Sequence, residues 1–161
     1  MPLKRNPLAL TGGCTRYQWS RLNKLQKGSF GEHFAKMEFA MYGFLVFSAE
    51  VDDRGIDFVA RTLSGKYHDV QVKTITNYNY TYVTESKFSE TLLVCLVVLK
   101  EGQMPETYLF RGSDWVRDNS GLLARHHYPS SKEAEYGIHC SAERQPELDR
   151  YRFEIVVGGY E

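Results

Sequence analysis

The sequence predicts a single α/β domain, and three observations carry that prediction. Phe30, Phe34, Met37 and Met41 recur at the spacing of one helix face. Residues 91–99 are almost entirely apolar and rich in valine and leucine, which is typical of a strand buried on both faces of a sheet. Between these two regions, polar turns separate shorter segments in which apolar and polar residues alternate. A chain of 161 residues is long enough for one domain with a substantial core.

Two helices are predicted before the first strand. The first covers residues 17–26 and is broken at residues 27–29, where the sequence reads Lys-Gly-Ser. Ser29 then caps the second helix, and Glu32 lies three residues on, at the spacing of a capping box. Gly43 is expected to end this helix. The expected division is a basic arm with a short helix over residues 1–27, followed by a core over residues 28–76.

Strands are predicted over residues 44–47, 56–61 and 67–74, with a hairpin turn at residues 63–66. Alternation along the third strand places one set of side chains on each face: Val70, Val72 and Thr74 on one, and Asp69, Gln71 and Lys73 on the other. A further extended segment is expected at residues 78–83, and residues 106–110 are expected to pair with the buried strand. Residues 118–146 are interpreted as mostly loop, and residues 147–157 fit either a helix or a strand.

Composition and charge exclude several classes of protein. The chain is 42% hydrophobic and 14% aromatic, which argues against intrinsic disorder. No apolar run has the length of a membrane span, and no apolar segment follows the basic N-terminal pair as in a secretion signal. Cys14, Cys95 and Cys140 are odd in number and widely spaced. A reducing, cytoplasmic location without membrane attachment is therefore expected.

The net charge is zero, but the charges are unevenly distributed. Six of the 20 basic residues lie within residues 1–27, where there is no acid, so 14 basic residues face 20 acidic ones in the remainder. A basic arm beside an acidic body is suited to following a phosphate backbone, although a solvated terminus would have the same composition. The six residues are Lys4, Arg5, Arg16, Arg21, Lys24 and Lys27.

Polar residues are predicted to meet at one edge of the sheet, and their chemistry suits phosphodiester hydrolysis. Asp57 would anchor a divalent cation, with the amide oxygen of Gln71 and the main-chain carbonyl of Val72 as further ligands. Lys73 would orient the attacking water or stabilise charge on the phosphate. Glu32 would hold a metal-bound water or a second ion. Such a cation neutralises phosphate charge and lowers the pKa of bound water.

The order of these parts resembles the PD-(D/E)XK nuclease superfamily. Residues 28–32 (Gly-Ser-Phe-Gly-Glu) resemble its Gly-x-x-Gly-Glu motif, residues 55–57 (Gly-Ile-Asp) its acid-bearing strand, and residues 71–73 (Gln-Val-Lys) its final triplet. The Gln-x-Lys variant is most similar to the branch with archaeal Holliday-junction resolvases and a group-I-intron homing endonuclease. The resemblance implies a restriction-endonuclease-like core, in which helices flank a central mixed β-sheet. It also implies DNA cleavage with Mg²⁺ or Mn²⁺, and a homodimer or higher homo-oligomer.

Two departures from the motif leave an alternative open. Ile56 stands where the superfamily name expects proline, and neutral Gln71 replaces an acid, which removes one negative charge from the metal site. The alternative is a non-catalytic nucleic-acid-binding or assembly module with the same fold. Taken singly, Glu32 fits a helix cap, and Gln71 and Lys73 fit the solvated face of a strand.

Several other residues invite weaker readings. His126, His127, His139 and Cys140 suggest zinc, although their spacing is not that of a zinc site, and Cys140 is a remote candidate for a nucleophile. Tyrosines alternate over residues 78–82; they could stack on bases, but packing on a neighbouring strand or a partner subunit is favoured. Further candidate phosphate contacts, among which the sequence does not choose, are Arg61, Lys66, Lys87 and Arg111.

Overall fold

The computed structural model describes residues 15–50 and 55–161. Its first long element is helix α1 (Lys24–Met41), which follows a single turn of 3₁₀ helix (Trp19–Arg21). A capping box begins α1: the Gln26 main-chain N–H donates to Asn23 Oδ1, and the Asn23 N–H donates to Gln26 Oε1, each at 2.9 Å. The predicted cap at Ser29 is therefore wrong.

Helix α1 runs without interruption through the predicted break at residues 27–29. The boundary expected between a basic arm and a motif-bearing core therefore lies inside one helix. Gly28 and Ser29 are weak helix formers, but the buried packing of Phe34 and Phe39 offsets their low propensity. Gly43, at φ +89°, follows the last turn as predicted.

The predicted apolar stripe of α1 is only partly correct. Phe34 is buried and Phe30 packs against the same core, whereas Met37 and Met41 are 45% and 63% exposed. The buried face of α1 is instead formed by Gly31, Phe34, Ala35 and Phe39.

Within the described residues the chain forms eight strands and three further short α-helices. The strands are β1 (Leu45–Ser48), β2 (Phe58–Arg61), β3 (Tyr67–Thr76), β4 (Tyr80–Thr84), β5 (Leu93–Leu99), β6 (Glu106–Arg111), β7 (Leu123–His126) and β8 (Glu135–His139). The short helices are α2 (Asp114–Arg117), α3 (Gln145–Asp149) and α4 (Phe153–Val156). Strands β7 and β8 lie in the segment that the sequence analysis assigned mostly to loop, and the ambiguous C-terminal segment is helical.

The strands form two sheets. The larger has the order β1-β2-β3-β5-β6; β3 and β5 are parallel and its other pairs are antiparallel, so the predicted mixed sheet is confirmed. The smaller is antiparallel with the order β4-β8-β7. No helix in the described ranges is both long enough and apolar enough to cross a membrane.

Strand β5 separates two cores, and every one of its residues is buried, as its composition predicted. Leu93, Cys95 and Val97 share one core with α1 and α4. The alternate side chains pack in the other core against the three-stranded sheet and α2 and α3. Helices and the smaller sheet thus cover both faces of the central sheet.

The topology of the central sheet leaves room for a site beside one half of β3. The pairing of β2 with β3 ends at Phe58 opposite Val70. Residues 71–76 of β3 therefore have a strand neighbour, β5, on one side only within the described chain. The open side of this half-strand, which carries Gln71 and Lys73, lies beside β4 and the first half of α1.

Candidate active site

A cleft of about 440 Å³ lies along the open half of β3. Its walls come from the first half of α1, from β3, from β4 and from the turn that follows β4. The lining residues are Lys24, Gly28, Glu32, Gln71, Val72, Lys73, Thr74, Thr81, Tyr82, Thr84 and Lys87.

The structure brings the candidate residues of the sequence analysis together. Glu32, Gln71 and Lys73 all line the cleft, although they come from two different elements. Asp57 reaches the same place through its carboxylate, because Oδ2 accepts a 2.6 Å hydrogen bond from the main-chain N–H of Val72. These side chains are therefore not dispersed over separate surfaces.

Asp57 lies directly before β2 and is held at two points. Its own N–H donates to the carbonyl of Val70 at 2.9 Å, which extends the β2–β3 pairing by one bond. Its carboxylate then bonds the N–H of Val72 on the same neighbouring strand. An acid at the position where pairing stops can use this otherwise unpaired donor, and its side chain is thereby fixed beside residues 71–73.

Gln71 is unusual because its carboxamide is buried while its oxygen has no hydrogen-bond partner in the part of the chain that the structure describes. The residue is 6% exposed, and Oε1 makes no hydrogen bond within the described part of the chain. Leaving a buried acceptor unsatisfied costs about 1–3 kcal/mol, so such an atom calls for an explanation. A cation bound at Oε1 would supply one.

Gly55 is required by the packing around Gln71. It has φ +70°, a conformation that residues with a side chain rarely adopt. A Cβ at this position would overlap the Lys87 side chain and would come within 3.2 Å of Gln71 Nε2. The glycine thus allows Lys87 and the Gln71 amide to lie against the main chain next to Asp57.

Helix α1 approaches β3 closely where it delivers Glu32. A Cβ on Gly31 would overlap the side chain of Thr74, so the helix backbone lies almost directly against the strand. This contact places the half-buried Glu32 at the wall of the cleft. In the Gly-Glu pair of the sequence motif, Gly31 therefore packs against β3 and Glu32 lines the cleft.

The donor set of the cleft fits a hard divalent cation. No group of three or more His, Cys, Asp or Glu residues suited to a metal occurs among the described residues. The oxygen donors here are instead of mixed type: the carboxylates of Asp57 and Glu32, the amide oxygen of Gln71 and the carbonyl of Val72. Mg²⁺ prefers oxygen and retains several waters, so one or two carboxylates suffice.

Lysines make the cleft favourable for phosphate. Lys24, Lys73 and Lys87 line it, and among the described residues the carboxylates beside them are those of Glu32 and Asp57. Of the four further phosphate contacts suggested by the sequence, only Lys87 lines the cleft, and Lys66 Nζ instead donates to the Glu161 main-chain carbonyl at 2.7 Å. From the predicted basic arm, Lys4 and Arg5 lie outside the described residues.

The sequence analysis did not assign Thr81, Thr84 or Tyr82 to this cleft. They come from β4, and β4 belongs to the smaller sheet rather than to the motif-bearing segment. The only sequence signal was the run of alternating tyrosines, which does not reveal its neighbour in space.

The structure gives little support to the alternative hypotheses of a zinc site and of a cysteine nucleophile. His126 and His139 lie with their Nε2 atoms 2.8 Å apart on β7 and β8, and no His, Cys, Asp or Glu among the described residues completes a metal site with them. Burial raises the pKa of the Cys140 thiol to about 12, so the reactive thiolate is disfavoured.

The mixed sheet, with α1 on one face and this cleft along the open half of β3, defines a restriction-endonuclease-like fold. Two solved structures show the likeness. A bacterial homing endonuclease, I-Ssp6803I, is similar with a TM-score of 0.57 and 16% identity over 87% of this chain and 98% of that one. The Holliday junction resolvase Hjc of Archaeoglobus fulgidus is similar with a TM-score of 0.50 and 13% identity over 79% and 99% of the two chains.

No protein-family model and no curated protein sequence matches the chain. The likeness thus concerns the fold, which both of these DNA-processing proteins share at low sequence identity. The resemblance inferred from the motifs of residues 28–73 is confirmed at that level.

Proposed function

We propose that this protein is a metal-dependent DNA endonuclease that hydrolyses phosphodiester bonds in the cleft. The observation that supports this most strongly is the buried Oε1 of Gln71, which has no hydrogen-bond partner among the described residues, next to the fixed Asp57. An oxygen-lined position beside three lysines suits a cation and a phosphate together. The fold is shared with a homing endonuclease and a Holliday junction resolvase, which favours DNA as the partner.

A divalent ion bound in the cleft, Mg²⁺ or Mn²⁺, would supply charge neutralisation at the phosphate and a lowered pKa for a water bound to it. Asp57, Gln71 Oε1 and the Val72 carbonyl hold it, and Glu32 orients a water or supports a second ion. Lys73 orients the attacking water and stabilises the charge that develops on the phosphate. Lys24 and Lys87 hold the neighbouring phosphates of the strand.

The second candidate is a nucleic-acid-binding or assembly module that has the fold but does not cut. Two observations favour it: the net charge is zero, and a neutral amide at Gln71 gives the ion one negative charge fewer than an acid would. Both candidates include homo-oligomer formation, which the sequence resemblance implies and which sedimentation velocity of the full chain would test.

The test is to incubate the protein with supercoiled plasmid and with branched DNA in Mg²⁺, Mn²⁺ or EDTA. We expect nicking or cleavage with metal only, and its loss in Lys73→Ala. Lys132→Ala is the matched control, because this exposed lysine does not line the cleft. Cleavage that survives Lys73→Ala would exclude this site as its source. Binding in a mobility-shift assay with no cleavage in either metal would support the second candidate.

A further inference from the structure

The cleft continues into a second depression of about 400 Å³ along the other end of β4. The two share Lys24, Thr74, Thr81 and Tyr82 in their walls, so they form one continuous groove. One end holds the candidate active site and the other ends at Tyr80 and its neighbours. The proposed chemistry uses only the first end.

Tyr80 is held flat against the smaller sheet. A Cβ on Gly137 of β8 would meet the Tyr80 ring, so the ring lies directly over the glycine. The Tyr80 hydroxyl donates to Glu135 at 3.0 Å, and the ring centroid lies 4.7 Å from that of His139. Burial, and then the hydrogen bond to Glu135, raise the pKa of Tyr80, so the phenol keeps its proton and this bond.

Tyr82 is the exposed member of the pair. Its ring is stacked on that of Tyr80 at 5.8 Å between centroids with an interplanar angle of 27°, and the residue is 40% exposed. Tyr80 therefore supports a ring that retains accessible surface in the groove. A supported aromatic ring of this kind loses little conformational freedom when a flat ligand stacks on it.

The charge of this part of the groove complements a phosphate backbone. Lys24 and Lys27 lie one turn apart on α1 and both line the wall opposite the tyrosines. Asn79 and Thr76 add neutral polar groups. An aromatic platform facing basic side chains is the combination by which proteins bind single strands, because the bases stack while the phosphates meet cations.

We propose that the groove binds a nucleic-acid strand with unpaired bases, one of which stacks on Tyr82, so that the preferred substrate has a single-stranded segment next to the bond that is cut. This rests on the proposed function for the location of cleavage. Bases of an intact duplex are stacked on one another and do not offer a free face to a side chain. Duplex DNA would therefore contact the lysines but not Tyr82.

The test is fluorescence anisotropy of labelled single-stranded, flap and duplex DNA, measured in EDTA so that no cleavage occurs. We expect Tyr82→Ala to weaken binding of single-stranded and flap DNA on the order of tenfold, and to change duplex binding by less than about twofold. Tyr82→Phe keeps the ring and should bind as the wild type does. Tyr67→Ala is the matched control, since Tyr67 is exposed but lies outside the groove.

The role of Lys27 gives a second readout. Lys27→Ala should lower the slope of log affinity against log salt for single-stranded DNA by about 0.7, the value for one phosphate contact. Equal losses for Tyr82→Ala and Tyr67→Ala, or equal losses for single-stranded and duplex DNA, would overturn the proposal. So would wild-type affinity in Tyr82→Ala.

These outcomes are independent of cleavage. Tyr82-dependent binding in a protein that cuts nothing would end the nuclease proposal and keep the groove. Metal-dependent cleavage of duplex and flap DNA at equal rates in wild type and in Tyr82→Ala would keep the nuclease and remove the single-strand preference.

Tyr82→Leu, which keeps apolar bulk without the π face, separates loss of stacking from loss of packing.

Discussion

The carboxylate of Asp57 accepts a 2.6 Å hydrogen bond from the main-chain N–H of Val72, the residue between Gln71 and Lys73. The bond joins two segments of the sequence motif that are separated by a hairpin. It forms where β2 stops pairing with β3, so a donor that would otherwise face the open edge is satisfied by an acid. In this way the topology of the sheet places a carboxylate next to the Gln-x-Lys triplet.

This bond makes Asp57→Asn a clean test of charge. The amide oxygen of asparagine can accept the same hydrogen bond, so the fold should be retained, whereas the negative charge on the proposed ion is lost. We expect metal affinity to fall by at least roughly 100-fold, since even groups behind the ligands contribute 10–100-fold. Isothermal titration with Mn²⁺ measures it. Asp69→Asn is the control, because Asp69 is exposed on β3, and equal affinities in the two variants would contradict the assignment.

Replacing Gln71 by glutamate should change both metal binding and stability. Gln71→Glu restores a charge at a site that is 6% exposed, so we expect tighter Mn²⁺ binding, by roughly tenfold or more. Without metal the buried carboxylate is penalised by desolvation, so the melting temperature in EDTA should fall below that of the wild type and recover with Mn²⁺.

The control for this prediction is Gln103→Glu, which adds the same charge at an exposed position. Calorimetry and thermal melts of both variants, with and without metal, give the comparison. If Gln71→Glu bound metal no more tightly than Gln103→Glu, Gln71 would not be a ligand.

Two glycines of α1 provide a matched pair for the contact of helix and strand. Gly31→Ala would push a methyl group into Thr74, so we expect destabilisation of about 1–3 kcal/mol. Gly28→Ala meets nothing within 4 Å and should instead stabilise the helix by about 0.5–1 kcal/mol. Urea unfolding measures both. Stabilisation by Gly31→Ala would show that α1 does not lie this close to β3.

The paired histidines of the smaller sheet predict a pH dependence of stability. Burial and then the charge of His126 lower the pKa of His139 from its ordinary 6.5. Below about pH 6.5 the unfolded chain binds more protons than the folded one. The stability that neutral His139 contributes is therefore fully present above about pH 6.5 and is lost as the pH falls. His139→Asn should therefore flatten the fall in stability between about pH 6.5 and 5.

Urea unfolding at several pH values tests this prediction, with the exposed His127→Asn as the control. His127→Asn should keep the wild-type profile. A profile for His139→Asn that matched the wild type would mean that the pKa of His139 is not lowered in the folded protein.

Much of the central sheet could be predicted because its strands have strong local signals. Residues 91–99 are continuously apolar, and β3 alternates with a clear period of two. Strands β7 and β8 escaped prediction because their four and five residues are too few to show a period, and polar residues such as Arg125, His126 and Glu135 interrupt their apolar ones. The start of α1 was misplaced because Gly28 and Ser29 read as a break, whereas tertiary packing carries the helix through them.

The motif predicted some residues of the site, whereas others are brought there by tertiary packing. Glu32, Gln71 and Lys73 were assigned to one edge by motif order, and they do line one cleft. Lys24 and Tyr82 complete its wall, but their positions depend on where α1 begins and on how the smaller sheet packs across the larger. Neither relationship is encoded in local spacing.

The proposed function depends most on whether the cleft holds a divalent ion. A crystal soaked in Mn²⁺ and measured at an X-ray energy where manganese scatters anomalously would locate the ion. We predict an anomalous peak bound by Asp57, Gln71 Oε1 and the carbonyl of Val72. Ordered crystals soaked at saturating Mn²⁺ that showed no peak there, or a peak at another site alone, would contradict the account.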